Sequence, residues 1–211
     1  MPNSIDFRKD EYRFSDDTRT AAREELGLSD CFVVGHAGRF LTQKNHKFLV
    51  EVFAKIIGKE PKAKLLLVGS GELLPAVKEC VKELGIENHV IFAGQRKDMA
   101  RLYQAMDILV FPSLYEGLGL VPIEAQMSGL PVLAADTVPR EIVRDNSLVE
   151  FLSLSASAEV WADKALEMGK CVRNRQDVDL KCSPAVPTGS ESYVSAEELG
   201  DWYCGLVKKE N

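Results

Sequence analysis

Six short, nearly continuous apolar runs punctuate the chain, at 31–36, 63–68, 89–93, 107–111, 131–134 and 148–152. Each is bounded by glycine, proline or polar residues. Runs of that length without polar alternation suit strands buried on both faces, as in a parallel sheet. Between them the pattern turns helical. Phe48, Leu49, Val52, Phe53, Ile56 and Ile57 put one broad apolar face on a helix over about 43–57. Leu73, Leu74, Val77, Val81 and Leu84 form a second stripe, which stops at Gly85. A helix over about 15–26, closed by Gly27, precedes the first strand, and another over about 156–172 follows the last. Strict β–α alternation predicts an α/β fold, a doubly wound parallel sheet of about six strands with helices on both faces. The period fails over 174–194, where Pro184, Pro187 and Gly189 fall, so residues 1–173 read as one domain followed by a loop or linker. Ser195 and Glu198 then fit a capping box that opens a C-terminal helix within 195–211, carrying Leu199, Trp202, Tyr203 and Leu206.

Composition narrows the class. Of 211 residues, 45% are hydrophobic and 27% charged, enough apolar material for a full core. The net charge of −6 argues against a nucleic-acid partner, while leaving room for a small basic pocket. Cys31, Cys80, Cys171, Cys182 and Cys204 are odd in number and contain no CxxC pair, which reads as reduced thiols, neither a disulfide frame nor a zinc site. No apolar run approaches the roughly 20 residues of a membrane span, and the polar opening segment carries no signal-peptide pattern. The expectation is a cytoplasmic protein without a transmembrane segment.

Six alternating strands suggest the Rossmann-like order 3-2-1-4-5-6, whose ligand crevice lies beyond the carboxyl ends of strands 1 and 4. The two loops leaving that point are the chemically richest in the chain. After strand 1, Gly38 permits close backbone approach, and Arg39 and Lys44 offer a fork and a point charge to a diphosphate. After strand 4, Gly117 and Gly119 precede a helix whose start Pro122 favours, so amides from Gly117 through Leu118, Gly119 and Leu120 would meet an anion. Two cations and a helix N-terminus can neutralise a pyrophosphate without a metal. Glu116 and Glu124 flank that position. Carboxylates repel phosphate, so sugar hydroxyls are their better partners. A phosphate site rimmed by hydroxyl-accepting carboxylates reads as a nucleotide-sugar site. A dinucleotide site fits poorly, because Gly69-Ser70-Gly71 is followed by Leu74 at the third glycine position. His36, His46 and His89 are scattered, with His36 best placed, at a strand end. Asp177-Val178-Asp179 lies in the aperiodic stretch and reads as a solvated loop.

The segment Glu116-Gly117-Leu118-Gly119-Leu120-Val121-Pro122-Ile123-Glu124 resembles the E-x7-E motif of the family-4 retaining glycosyltransferases with the GT-B fold. Asn3-Ser4-Ile5-Asp6, Gly38-Arg39 with Lys44, Val68-Gly69-Ser70-Gly71 and Phe92-Ala93-Gly94-Gln95-Arg96 resemble further segments of that family's C-terminal, donor-binding domain, in order, over roughly residues 3–150. Ser4, Asn45 and Leu118 depart from its usual Gly, Gly and Phe. The resemblance implies that Arg39 and Lys44 hold the diphosphate and stabilise it as leaving group. Glu124 would bind the ribose, Glu116 orient the sugar, and backbone near Gln95 and Arg96 meet the base. It further implies metal-independent hexosyl transfer with retention and no cofactor. UDP-sugars are the first expected donor and GDP-sugars the second, and the acceptor is a glycan or lipid-linked glycan. The family's acceptor-binding N-terminal domain has no counterpart here, so this portion is expected to bind donor without turnover, and the full-length enzyme could lie peripherally on the inner face of a membrane. The rival readings are a non-catalytic nucleotide-sugar-binding module and a nucleotide-sugar epimerase of the same fold.

Overall fold

The computed structural model describes residues 12–117, 119–171 and 175. The Asn3–Asp6 segment, Leu118, Asp177-Val178-Asp179 and the expected helix within 195–211 lie outside the described residues, as does the expected linker apart from Arg175. Strands β1 (Val33–Ala37), β2 (Lys64–Val68), β3 (Val90–Gly94), β4 (Ile108–Phe111), β5 (Val132–Ala135) and β6 (Val149–Leu152) form one sheet. Its order is β3-β2-β1-β4-β5-β6, with every pairing parallel. The expected doubly wound order is therefore observed. The central strands β1, β4 and β5 are buried at every position, whereas the edge strand β3 is half-buried.

Helices α1 (Asp16–Leu26), α2 (His46–Lys59), α3 (Leu74–Glu83), α4 (Met99–Ala105), α5 (Leu120–Met127) and α6 (Ala158–Lys170) cover the sheet. Helix α2 packs on α3 and α6, while α4 packs on α1 and α5, giving one layer on each face. Ser15 accepts from the Thr18 amide and so caps α1, and Gly27 closes it at φ 65°. Helix α2 begins later than its apolar stripe suggests. Thr42–Lys44 forms a 3-10 turn and Asn45 takes φ 53°, so the helix starts at His46. That extra turn aims Lys44 across the switch point. Helix α4 has no forerunner in the sequence reading, because seven residues are too few to display a period.

Arginines fasten α1 to α4. Arg19 donates to the carbonyls of Gln104 and Met106, and Arg23 to that of Ala105. Arg175, inside the stretch read as a linker, reaches the carbonyls of Tyr103, Met106 and Ser128 and pins the chain at that point. These cations serve the negative end of α4, where the last carbonyls have no partner within the helix. Asp107 offsets their charge through Arg19 at 2.5 Å and Arg23 at 2.6 Å, and it also accepts from the Val33 amide.

Candidate functional site

Parallel pairing of β1 with β4 brings the loops that follow them together. The Leu114 amide donates to the Gln43 carbonyl at 2.8 Å, and the Gln43 side chain donates to the Tyr115 carbonyl at 2.9 Å. Across this seam Lys44 Nζ meets Glu116 Oε1 at 2.6 Å, with only 14% and 7% of the two side chains exposed. Gln43 also donates to Glu116 Oε2 at 3.3 Å, so the carboxylate is held on both oxygens. Lys44 Nζ lies 4.8 Å from the centre of the Phe111 ring, and its stem passes over Gly38, where a Cβ would come within 3.2 Å of the Lys44 Cε. Gly38 thus makes room for the lysine.

Beside this pair opens a cleft of about 510 Å³, floored by the ends of β1 and β2 and walled by the loop after β3, α4 and α5. Gly38 and Arg39 lie on its floor, Gln95 and Arg96 on one wall, and Tyr103 and Glu124 on the other. The floor is backbone against backbone. The Gly38 amide donates to the Val68 carbonyl at 2.9 Å, and the Phe40 amide to that of Ser70 at 3.0 Å. Gly69 sits at φ 139°, where a Cβ would stand 2.0 Å from the Gly38 carbonyl oxygen, so no side chain fits. Arg39 is exposed, and its side chain has no hydrogen-bond or ion-pair partner among the described residues.

Glu124 reaches the cleft from the first turn and a half of α5 and accepts from Tyr103 Oη at 2.8 Å. Burial, then the neighbouring carboxylate, pushes the Tyr103 phenol well above its ordinary value, so it stays a proton donor. Helix α5 starts after Gly119 at φ 67° with no side-chain cap on its first amides. Gln126 anchors the helix from the other side, donating to the Pro122 and Ile142 carbonyls and accepting from the Arg144 amide.

Under the site lie two buried imidazoles. His36 Nδ1 donates to the Val110 carbonyl, 2.9 Å away. His46 stacks on Phe40 at 4.2 Å and meets His36 edge-on at 4.8 Å. Burial first, then His46 and Lys44, lowers the His36 pKa to about 3; burial, then Lys44, lowers that of His46 to about 4. Both rings are neutral at physiological pH. His36 is thus a buried wall beneath Lys44, without the exposure a catalytic base needs.

The structure gathers Gly38, Arg39, Gln95, Arg96 and Glu124 around the cleft and sets Lys44 with Glu116 at its edge. Gly117 is exposed on the rim, and Gly119 and Leu120 open α5. The Arg96 guanidinium turns away to a two-point contact with Asp98, at 2.8 and 2.7 Å, leaving its backbone for the cleft. The Gln95 amide donates to Ser70 Oγ at 2.7 Å, bridging two loops. Sequence reasoning missed Tyr103, Ser70 and Lys97 in the lining. With α4 too short to show which face is buried, the sequence offered for Tyr103 only the general rule that a buried tyrosine hydroxyl must find a partner. The pairing of Lys44 with Glu116 was also unforeseen. Cys31 and Cys80 are free and partly covered, and Cys171 is free and exposed. Among the described residues no helix is long and apolar enough to cross a membrane.

Comparison with known proteins reaches the same architecture. Residues 31–170 match the family described as "Glycosyl transferases group 1". The chain is 33% identical over 166 residues to the Bacillus subtilis (strain 168) protein EpsF, named as a glycosyltransferase, an alignment that takes 77% of this chain and 42% of that one. It is 30% identical over 190 residues to an Escherichia coli UDP-Gal:alpha-D-GlcNAc-diphosphoundecaprenol alpha-1,3-galactosyltransferase, covering 83% of this chain and 48% of the other. Among solved structures, Anabaena Alr3699/HepE in complex with UDP superposes with a TM-score of 0.71 at 27% identity, over 82% of this chain and 50% of that one. The same protein is also known in complex with UDP-glucose. The chain spans less than half the length of the two sequence relatives.

Proposed function

Because the chain belongs to the group 1 glycosyl transferases, we propose that it is the donor-binding half of a retaining enzyme that transfers a hexose-type sugar from a nucleoside diphosphate. The observation that carries the reading is the cleft at the β1/β4 switch point. There Arg39, without a side-chain partner among the described residues, and a glycine floor face Glu124, with the Lys44–Glu116 couple at the edge. Arg39 and Lys44 bind the diphosphate and take up charge on it as the glycosidic bond breaks, an electrostatic role that needs no metal. Amides at the start of α5, from Gly117 through Leu118 to Leu120, complete the anion site. Glu124 accepts from the ribose hydroxyls. Glu116, released from Lys44 as the phosphates draw that lysine over, accepts from the sugar. Backbone at Gln95 and Arg96 meets the base, and the side-chain commitments of both residues fit a backbone role.

The Anabaena complexes with UDP and UDP-glucose favour a UDP-sugar as donor, ahead of a GDP-sugar. The E. coli relative, named for a diphosphoundecaprenol-linked sugar, favours a lipid-linked or other glycan acceptor. Calorimetric titration of the chain with UDP, GDP and ADP, with and without magnesium, tests the reading. UDP should bind without metal, and Arg39→Ala and Glu124→Ala should each weaken it by about 1–3 kcal/mol. Equal binding of UDP by both variants and the parent would sink the assignment.

A further inference from the structure

The setting of Tyr103 is unusual for a residue that merely fills the core. The ring is fully buried, yet the residue also lines the cleft. Its Oη donates to Glu124 Oε2 at 2.8 Å, from α4 to α5, across 21 residues of chain. The ring has little freedom to move. It stacks on Tyr12 with centroids 6.5 Å apart, and the Tyr103 carbonyl is held by Arg175 at 3.1 Å. A glutamate on the first turns of a helix has three rotatable bonds, and losing that freedom on binding weakens a ligand. A fixed phenol removes the cost in advance. A carboxylate has about four lone-pair sites, and the bond from Tyr103 orients the group while taking up one of them.

We propose that Tyr103 is a positioning residue for the ribose: its buried hydroxyl aims the Glu124 carboxylate at the 2′ and 3′ hydroxyls of the bound nucleotide. The inference rests on the donor-binding reading above, in which Glu124 meets the ribose. Two features of the site favour positioning over simple satisfaction of a buried hydroxyl. The acceptor is a side-chain carboxyl that itself lines the cleft, where a backbone carbonyl would have satisfied the phenol equally well. Burial, then the neighbouring carboxylate, also raises the pKa of the phenol well above its ordinary value, so the hydroxyl keeps the proton it donates.

The test compares the parent chain with Tyr103→Phe by calorimetric titration with UDP, 2′-deoxy-UDP and 3′-deoxy-UDP, alongside thermal unfolding of both proteins. The variant should bind UDP roughly three- to tenfold more weakly and the deoxy analogues no more than about twofold more weakly, so that discrimination for the ribose shrinks. A structural role alone would change the melting temperature and weaken all three ligands alike. Uniform weakening, or undiminished preference for UDP in the variant, overturns the proposal while leaving the donor-binding reading intact. If the parent binds UDP but does not prefer it over the deoxy analogues, the ribose role of Glu124 falls and this proposal with it. If the parent binds none of the three, both readings fail.

Discussion

Acidification from pH 7 to pH 5 should destabilise the fold through the His36–His46 pair beneath the site. Both rings are buried, and both are held neutral, with pKa values of about 3 and about 4 against an ordinary 6.5. Below pH 6.5 the unfolded chain takes up a proton on each imidazole while the folded chain does not. The unfolded state therefore binds more protons, and stability falls as the pH drops from about 6.5 towards the folded values. Each pH step below 6.5 is worth about 1.4 kcal/mol per group, so by pH 5 the loss is about 2 kcal/mol for each imidazole and about 4 kcal/mol for the pair. Against a typical domain stability of about 5–15 kcal/mol that is a large fraction. The variant His46→Phe keeps the aromatic stack on Phe40 and removes one titrating group. Urea unfolding at pH 7, 6 and 5 should show the parent losing about 2 kcal/mol more than the variant over that interval. Asp98 and Glu25, whose carboxyls are lowered mainly by hydrogen bonds from Arg96 and Arg101 respectively, lose their contribution at lower pH in both proteins and so cancel. The same pH dependence in parent and variant would refute the reasoning.

Three further substitutions test the frame of the site. Gly69→Ala places a Cβ about 2.0 Å from the Gly38 carbonyl oxygen, at φ 139°, where only backbone can yield; urea unfolding should show a loss of roughly 3 kcal/mol or more. Gly35→Ala meets the Met106 sulfur at the same 2.0 Å, but a flexible thioether can move, so its cost should be lower, about 1–3 kcal/mol. Asp107→Asn leaves Arg19 and Arg23 without their counter-charge at the end of α4; thermal and urea unfolding should reveal a loss of about 3 kcal/mol, with the far-UV spectrum unchanged at low temperature.

Much of this architecture is legible along the chain because it depends on local chemistry. Six apolar runs report strands buried on both faces, and the glycine and helix-start signals around Gly117, Gly119 and Pro122 report a turn into a helix. Strict alternation with right-handed crossovers then leaves few topologies, so the observed strand order and the meeting of the two loops follow from pattern alone. What the tertiary structure decided concerns pairs remote in sequence. Lys44 meets Glu116 across 72 residues, Tyr103 reaches Glu124 from a helix too short to declare itself, and Arg23 finds Asp107 across 84. The departure of Asn45 into the left-handed region moved the start of α2 and with it the aim of Lys44. Periodicity tells which face of an element is buried, but not which atom of another element it will touch. That choice is made by register and by the need of each buried polar group for a partner, and it exists only once the sheet has assembled.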